Sequence, residues 1–327
     1  MIQIEKLKNK IIRGYNLTND EALDLYKRSQ HSEDSLETLC HGADEIRKHF
    51  CGDSFDLCTI INGKSGRCTE NCKYCAQSAH YPADIETYPL LDTDKLLAGA
   101  KYNEQKGILR YSVVTSGKSL TSNELDQLCE SYRYIHESSS IALCASHGLL
   151  NYEQLIQLKN AGVTRYHNNL ETSRRNFHNI CTTHTYEDKI STIKAAQKAG
   201  LTVCSGGIMG LGETFEDRIS MAFDLRALGI KSVPINILNP IPHTPFEHNL
   251  VLTQEELKRT VAIYRFILPD AALRLAGGRG LLTDKGRSLF ISGANAAISG
   301  DMLTTSGIST NYDMDMIRDL GFTISKL

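Results

Sequence analysis

The first 50 residues carry apolar side chains at helical spacing, in two segments. The repeating positions are Leu17, Glu21, Leu23 and Leu25 in one segment and Leu36, Leu39, Ala43 and Ile46 in the next. Residues three or four apart lie on the same face of a helix. The pattern therefore predicts an N-terminal helical extension over residues 1–50.

From about residue 55 the pattern changes to short β-rich runs separated by longer amphipathic stretches. Eight such runs can be counted, at residues 55–61, 109–114, 140–145, 163–168, 201–206, 232–238, 272–276 and 295–299. Two of the intervening stretches contain the S/T-x-x-E capping box, Thr121 with Glu124 and Thr253 with Glu256. In this motif side chains satisfy free N–H groups at a helix start. Strands therefore alternate with helices, as in a parallel sheet built from βα units.

The eight βα units are continuous, because no composition break, long linker, repeat or low-complexity tract separates them. This continuity favours an α/β fold in which residues 51–327 form one closed (β/α)8 barrel of the TIM type. An open, doubly wound sheet shows a similar alternation and is the alternative.

Charge and hydrophobicity exclude several classes of function. Lys and Arg total 36 against 38 Asp and Glu, a net charge of −2, so bulk charge does not draw the chain to nucleic acid or an anionic membrane. No window approaches the roughly 18 apolar residues of a membrane span. The first 30 residues mix acids, bases and isolated apolar residues, unlike a secretory signal. We expect a folded, soluble protein with a cytoplasmic location.

The ten cysteines carry the main chemical signal. Without a secretory signal they are more typical of metal binding or catalysis than of disulfides. Cys68, Cys72 and Cys75 form a C-x3-C-x2-C motif in the polar loop GKSGRCTENCKYC, after the first strand run. Three thiolates suit a [4Fe–4S] cluster that keeps one iron open. Structural zinc takes four protein ligands, usually in paired C-x2-C units, so zinc with a distant fourth ligand is the alternative.

This motif, with Tyr74 before its last cysteine, resembles the defining motif of the radical S-adenosylmethionine enzymes, and its surroundings are similar to those of the biotin synthase family. The similarity extends from about Asp56 to the C-terminus. It includes YHNNLETS (166–173), VCSGGIMGLGE (203–213), SVPINIL (232–238), LRLAGGRG (273–280) and GANAAISGDMLTT (293–305). The resemblance implies that the three cysteines hold a [4Fe–4S] cluster whose open iron binds S-adenosyl-L-methionine, and that reductive cleavage gives a 5′-deoxyadenosyl radical.

The resemblance also implies contacts to S-adenosylmethionine. It places Tyr74 against the adenine, Asn169 and Glu171 near the ribose, and the segment Gly206, Ile208 and Gly210 beside the adenine. Because Asn169 and Glu171 are two residues apart, they point the same way in an extended chain. The family commonly has aspartate at the position of Glu171, so the contact is either kept by a longer side chain or lost.

The substrate implied by the resemblance is dethiobiotin. Asn169 and Asn236 match the positions that bind its ureido ring, and Thr304 and Thr305 match the segment that receives its carboxylate. Neutral hydrogen-bonding side chains are sufficient for both groups. The alternatives are a satisfied polar residue in a barrel wall for Asn236 and an ordinary turn for the two threonines.

A second, auxiliary iron–sulfur cluster is the sulfur source in this family, and Cys144, Cys204 and Arg274 match its ligands. The family's further cysteine on the second strand is replaced here by Ser112, a poorer ligand for iron than a thiolate. Alternate strands contribute side chains to one layer of a barrel interior, so we expect Cys58, on the first predicted strand, to complete the set. The alternative is a buried Cys58 outside the ligand set, with Ser112 or an exogenous sulfide in its place.

The composition of the auxiliary cluster stays open between the family's usual [2Fe–2S] and a different cluster suited to the altered ligands. No role is predicted for the other cysteines, which are interpreted as small apolar fillers: Cys40, Cys51, Cys129 and Cys181.

The sequence thus predicts a radical enzyme that inserts sulfur into dethiobiotin. A radical maturase of the hydrogenase type shares the barrel and the cysteine triplet, but the set Cys144, Cys204 and Arg274 argues against it. A non-catalytic iron–sulfur electron carrier is a different class, which predicts four cysteines per cluster. Family likeness further implies an electron donor such as flavodoxin or ferredoxin, and a homodimer.

Overall fold

The computed structural model describes residues 2–327. Its sheet closes into a parallel barrel with eight positions, one of which is shared by two short consecutive strands. The strands are β1 Ser54–Lys64, β2 Arg110–Thr115, β3 Ala142–Ser146, β4 Val163–His167, β5 Thr202–Cys204, β6 Gly207–Met209, β7 Ser232–Ile237, β8 Ala272–Leu275, β9 Ala296–Ser299 and β10 Thr323–Ile324. Neighbours follow the order β1-β2-β3-β4-β5-β7-β8-β9, and β9 pairs with β1. The predicted closed barrel is therefore confirmed, and the open sheet is wrong.

All eight predicted strand runs form strands, and two short strands were not predicted. β6 continues the position of β5 after a break at residues 205 and 206, and pairs with β7. β10 adds two residues beside the start of β1, where Ser54 pairs with Thr323. Segments of two or three residues are too short to show the alternation by which strands are recognised.

Helices cover the outside of the barrel and its N-terminal side. They are α1 Ile2–Ile12, α2 Asn19–Ser29, α3 Glu33–Cys51, α4 Thr93–Gln105, α5 Ser122–Ser138, α6 Tyr152–Asn160, α7 Phe177–Ile180, α8 Tyr186–Lys198, α9 Phe215–Ala227, α10 Gln254–Ile267, α11 Arg287–Phe290 and α12 Thr310–Asp319, with a 3-10 turn at Arg279–Leu281. Within residues 2–327, none of these helices combines the length and the apolar character that crossing a membrane requires.

Helices α2 and α3 pack against α9 and α10 through the apolar positions that predicted them, and α1 packs against α3. Leu25, Leu39 and Ile46 are fully buried. The ring of Tyr26 on α2 stacks on Phe215 of α9, with ring centroids 3.4 Å apart. The predicted N-terminal helical extension is therefore present, as three helices rather than two segments, and α2 and α3 bury their apolar stripes against the outer helices of the barrel.

The two predicted capping boxes differ in the structure. At Thr121 the box is complete, since Thr121 Oγ1 accepts from Glu124 N and Glu124 accepts from Thr121 N. Thr253 caps α10 by accepting from Glu256 N at 3.2 Å. The Glu256 carboxylate instead accepts from Arg218 Nη1 at 2.7 Å. Both helix starts are confirmed, but a buried arginine competes for the second carboxylate.

Candidate active site and metal centres

A cavity of about 390 Å³ lies inside the barrel and extends to the carboxyl ends of its strands. Most of the predicted site residues line it: Cys58, Cys68, Tyr74, Cys75, Ser112, Cys144, Asn169, Glu171, Cys204, Ile208, Asn236, Arg274, Thr304 and Thr305. Cys72, Gly206 and Gly210 are outside this lining. The structure therefore brings loop cysteines and strand cysteines to one cavity, with the predicted ligand-binding residues beside them.

The loop after β1 folds back on itself and presents Cys68 and Cys75 to the cavity. Cys68 N donates to Gln77 O at 2.9 Å, and Ala79 N donates to Cys68 O at 2.8 Å. Between these bonds, Cys75 N donates to Cys72 O at 3.0 Å and closes a turn. Backbone hydrogen bonds thus hold the two cavity-lining cysteines in one short, fixed segment.

Cys72 is directed away from the cavity. Its sulfur lies 3.7 Å from Cys181 Sγ. Cys181 Sγ is in turn 3.3 Å from His184 Nδ1, and the same nitrogen contacts the carboxylate of Glu70. Cys181, interpreted from the sequence as an apolar filler, is buried in the core, but its sulfur also contacts polar groups because the segment that follows α7 lies against the cysteine loop.

The side chains of Asn169 and Glu171 meet after β4, although the backbone is not extended there. Glu171 has a φ of 70°, in the left-handed region, whereas the prediction assumed an extended chain. Asn169 Nδ2 donates to Glu171 Oε2 at 3.3 Å, and Gly206 N donates to Asn169 Oδ1 at 3.1 Å. Glu171 N donates to Gly206 O, and Ile208 N donates to Glu171 O at 2.8 Å. These bonds attach the segment to the edge formed by β5 and β6.

Gly206 lies where β5 and β6 meet and where the backbone of β7 comes closest. A Cβ at this position would lie 1.9 Å from the carbonyl oxygen of Pro234, which cannot move without displacing β7. We expect Gly206→Ala to lower the free energy of unfolding by at least the ~1–3 kcal/mol that overpacking typically costs. Urea unfolding of the purified variant measures this loss.

The matched control is Gly280→Ala, since nothing lies within 4 Å of a Cβ at Gly280 and its φ is not positive. This variant is expected to unfold like the parent protein. Equal unfolding midpoints for the two alanine variants would contradict the close approach of Gly206 to β7.

Asn236 and the two threonines present polar groups to the same cavity. Asn236 Oδ1 accepts from Gly277 N at 3.0 Å, and its Nδ2 donates to Gly207 O at 3.1 Å. Because an amide offers two N–H bonds and two lone pairs, half of this capacity remains for a bound molecule. Thr304 and Thr305 lie in the loop after β9. The arrangement suits a small molecule with polar groups at two positions.

Three cysteines reach the barrel interior from alternate positions of the sheet. Cys58 lies on β1, Cys144 on β3 and Cys204 on β5. Ser112 on β2 pairs in register with Cys144, so the two side chains are neighbours on the inner face of the barrel. Arg274 on β8 donates from Nη1 to Cys58 Sγ at 3.2 Å. The structure thus places all five predicted side chains around one part of the cavity.

A buried carboxylate, Asp56, holds three arginines next to these thiols. Asp56 Oδ1 accepts from Arg274 Nη2 at 3.0 Å, and its Oδ2 lies 3.3 Å from Arg110 Nε and 3.8 Å from Arg165 Nη1. Burial opposes ionisation of Asp56, but the three guanidinium groups outweigh it and lower the pKa to about 2. Since three cations face one carboxylate, the interior has an excess of positive charge that favours thiolates and an anionic ligand.

The interior thiols differ in their ease of ionisation. Burial opposes ionisation of Cys204, but a hydrogen bond and the charge of His167, followed by the nearby guanidinium groups, lower its pKa to about 6. The hydroxyl of Ser232 also donates to Cys204 Sγ at 3.2 Å. Burial raises the pKa of Cys58 to about 12. A metal that binds all three sulfurs must therefore displace a firmly held proton from Cys58.

Asp56→Asn is expected to destabilise the metal-free protein, because it removes the carboxylate shared by three guanidinium groups, two of which, those of Arg165 and Arg274, are buried. Removing one partner of a buried ion pair costs about 3–5 kcal/mol. Urea unfolding of the chelator-treated variant measures the loss. The matched control is Asp53→Asn, since Asp53 has a side chain 68% exposed in a surface pair with Arg47, and such pairs contribute little. Unfolding of Asp56→Asn at the midpoint of this control would contradict the prediction.

Four residues around the strand cysteines were not singled out from the sequence: Asp56, Arg110, Arg165 and His167. For Asp56 and Arg110 the spacing along the strand could have indicated this. Asp56 stands two residues before Cys58, and Arg110 stands two before Ser112. Because side chains alternate along a strand, each pair must lie on one face. His184 and Glu70 had no comparable signal, since their position depends on how two distant loops dock.

The donor sets fit the two iron–sulfur clusters that the sequence implies. Thiolates are the usual ligands of such clusters, and the cavity is reached by thiols from the loop and from the strands. Among the described residues, Arg165 Nε is buried without a hydrogen-bond partner, a group that an anionic ligand would satisfy. The loop set fits once Cys72 turns its sulfur from Cys181 toward the cavity.

Comparisons with known proteins give the family of the chain. Residues 62–225 match the Radical SAM superfamily, and residues 234–323 match the Biotin and Thiamin Synthesis associated domain. The chain is 58% identical over 318 residues to the biotin synthase of Akkermansia muciniphila, covering 97% of each protein. It is 57% identical over 324 residues to that of Clostridium botulinum, covering 99% of this chain and 100% of the relative. The solved structure of methylornithine synthase superimposes with a TM-score of 0.85 over 98% of this chain and 97% of its own, and its 17% identity shows likeness of fold alone.

Proposed function

This chain belongs to the biotin synthase family of the radical S-adenosylmethionine superfamily, and we propose that it inserts sulfur into dethiobiotin to form biotin. Hydrogen is abstracted from two carbons of dethiobiotin in turn, and the thiophane ring closes with sulfur from an auxiliary cluster. The observation that carries this proposal is that loop cysteines and strand cysteines share one cavity of about 390 Å³. A reaction that joins a substrate radical to cluster sulfur needs both sets of ligands within reach of one small molecule.

The loop thiols hold the cluster that cleaves S-adenosylmethionine. When bound, this [4Fe–4S] cluster supplies the electron that converts S-adenosylmethionine to methionine and a 5′-deoxyadenosyl radical. Tyr74, which precedes Cys75 and lines the cavity, lies against the adenine. Asn169 and Glu171 bind the ribose, and their mutual hydrogen bond fixes the orientation of both side chains. The close backbone contact at Gly206 keeps this wall rigid.

Dethiobiotin lies between the two sets of thiols. Asn236 and Asn169 bind its ureido ring with the donors and acceptors that their backbone contacts leave free, and Thr304 and Thr305 receive its carboxylate. A primary carbon radical takes hydrogen from any donor that it touches, so the walls must exclude water and orient the target C–H bonds. Ile208 contributes an apolar surface to this cavity.

The auxiliary cluster is held by Cys58, Cys144, Cys204 and Arg274, with Ser112 beside it. This cluster supplies the sulfur atom. The excess of guanidinium groups around Asp56 supports an anionic centre at this position. The ligand set departs from the family's pattern at Ser112, so its composition is either the usual [2Fe–2S] or a different cluster.

Several further properties are inferred from family likeness alone. The electron donor is a small redox protein such as flavodoxin or ferredoxin. The protein forms a homodimer and is located in the cytoplasm.

Anaerobic turnover tests the proposed function directly. The reconstituted protein is incubated with S-adenosylmethionine and a reductant, with and without dethiobiotin, and biotin and 5′-deoxyadenosine are quantified by mass spectrometry. We expect biotin, and a release of 5′-deoxyadenosine that dethiobiotin stimulates. Release that dethiobiotin does not stimulate, without biotin, would overturn the substrate assignment.

A further inference from the structure

A second group of metal-binding side chains lies beside the cysteine loop. One donor atom each from Cys72, Cys181 and His184 lies within 4.8 Å of the other two. The contacts are 3.7 Å between the sulfurs of Cys72 and Cys181 and 3.3 Å between Cys181 Sγ and His184 Nδ1. In a tetrahedral zinc site with ordinary bond lengths, two sulfurs lie about 3.8 Å apart and a sulfur and a nitrogen about 3.6 Å apart. Two of the three separations are therefore close to the edges of one tetrahedron, and the third is below 4.8 Å.

Hydrogen bonds hold the two segments that carry these side chains together before any metal is added. Cys181 ends α7, and its N–H donates to Phe177 O at 3.1 Å. The cysteine loop is joined to this segment because Lys73 N donates to Ile180 O at 2.9 Å. Asn71 adds a second connection, since its Oδ1 accepts from Thr182 N at 2.9 Å. Two segments about 110 residues apart in sequence are thus held together, which reduces the entropy cost of collecting ligands.

A carboxylate lies beside the imidazole, outside the group of three donors. The carboxylate of Glu70 contacts His184 Nδ1, and it also accepts from Thr183 Oγ1 at 2.9 Å. Glu70 and His184 are both buried, whereas Cys72 is half-buried and gives the group access from outside. Two thiolates and an imidazole nitrogen are a donor set suited to zinc or ferrous iron, with solvent as the fourth ligand.

We propose that Cys72, Cys181 and His184 bind one divalent zinc or ferrous ion in the cluster-free protein, with solvent in the fourth position. The two cysteines bind as thiolates and release their thiol protons to solvent, while His184 binds as a neutral imidazole through the Nδ1 lone pair and keeps its proton on Nε2, with no change of oxidation state. The sulfur of Cys72 cannot point toward this ion and toward the three-thiolate cluster in the cavity at the same time. The single ion and the cluster therefore exclude each other, and the direction of the Cys72 side chain decides between them.

Cobalt binding tests the site without S-adenosylmethionine or dethiobiotin, so its outcome is independent of the proposed reaction. The starting protein is the double variant Cys68→Ala/Cys75→Ala, in which the loop can no longer bind a metal through three thiolates. Anaerobic titration with Co²⁺ is followed by the thiolate charge-transfer and visible bands of tetrahedral cobalt. Adding Cys181→Ala is expected to lower the bound cobalt by one equivalent per protein. Adding Cys129→Ala, at a buried cysteine on α5, is the control and is expected to leave the bound cobalt unchanged.

Any cobalt bound by the thiols inside the barrel is the same in all these proteins. The difference in bound cobalt between two variants therefore reports the proposed site alone. His184→Gln in the same background is the second variant, and it is also expected to lose one equivalent if Cys181→Ala fails to fold. Equal cobalt binding in the starting protein and in folded Cys181→Ala or His184→Gln would overturn the proposal and leave the contacts as hydrogen bonds only.

The exclusion between ion and cluster has its own readout in the otherwise unaltered chain. Pre-incubation with one equivalent of Zn²⁺ is expected to slow the growth of the loop cluster's absorption during reconstitution with iron and sulfide. In Cys181→Ala the same zinc is expected to have a smaller effect. An equal delay in both proteins would contradict a shared Cys72.

Discussion

Alanine at Cys68, Cys72 or Cys75 is expected to reduce the cleavage of S-adenosylmethionine to background while leaving the barrel folded. Each substitution removes one of three thiolates, and the cluster that supplies the electron needs all three. The three residues lie in the loop between β1 and α4, outside the strands that close the barrel. The measurements are 5′-deoxyadenosine release by freshly reconstituted protein and far-ultraviolet circular dichroism, which should match that of the parent protein.

Cys129→Ala is the matched control for the loss of a buried thiol. Cys129 lies on α5 and is 4% exposed, away from the cavity lining. This variant is expected to release 5′-deoxyadenosine like the parent protein. A rate near the parent's in any one of the three loop variants would refute the assignment of the cluster ligands.

The strands could be predicted from local sequence, but the closure of the barrel could not be read from any one of them. The continuity of eight βα units favoured closure, and the spacing of the candidate cluster ligands along the chain supports it further. In an open sheet with about 4.8 Å between strands, the first and fifth strands would lie about 19 Å apart, too far for one small cluster. The structure pairs β9 with β1 and brings Cys58, Cys144 and Cys204 to one cavity. A shared set of candidate ligands was thus a long-range signal that hydrophobic periodicity lacks.

The sequence was less informative where side-chain direction depends on tertiary contacts. The spacing of the loop cysteines predicted a metal loop, but the direction of Cys72 depends on Cys181, more than 100 residues further along. Glu171 was expected in an extended chain, yet its φ of 70° follows from the bonds that join its backbone to β5 and β6. Such features need the docked loops and cannot be derived from local propensity.

The second large effect concerns the auxiliary cluster, where Cys58→Ser is expected to remove its spectral signal and Ser112→Ala to leave it unchanged. Both side chains line the cavity and both are buried, so burial does not show which of them is the ligand. The contact with Arg274 favours Cys58, because Arg274 Nη1 donates to Cys58 Sγ at 3.2 Å and this sulfur therefore lies beside a predicted ligand. A thiolate is also a better ligand for iron than a serine oxygen.

Iron and sulfide analysis, together with Mössbauer spectra of the two reconstituted variants, shows which of the two residues is the ligand. Each variant is the other's control, because both replace a small cavity-lining side chain on adjacent strands and leave the loop cysteines intact. We expect Cys58→Ser to keep only the iron of the loop cluster, and to release 5′-deoxyadenosine without forming biotin. Loss of the auxiliary signal in Ser112→Ala, with an unchanged signal in Cys58→Ser, would instead assign the ligand to β2, at the position where the family commonly has its cysteine.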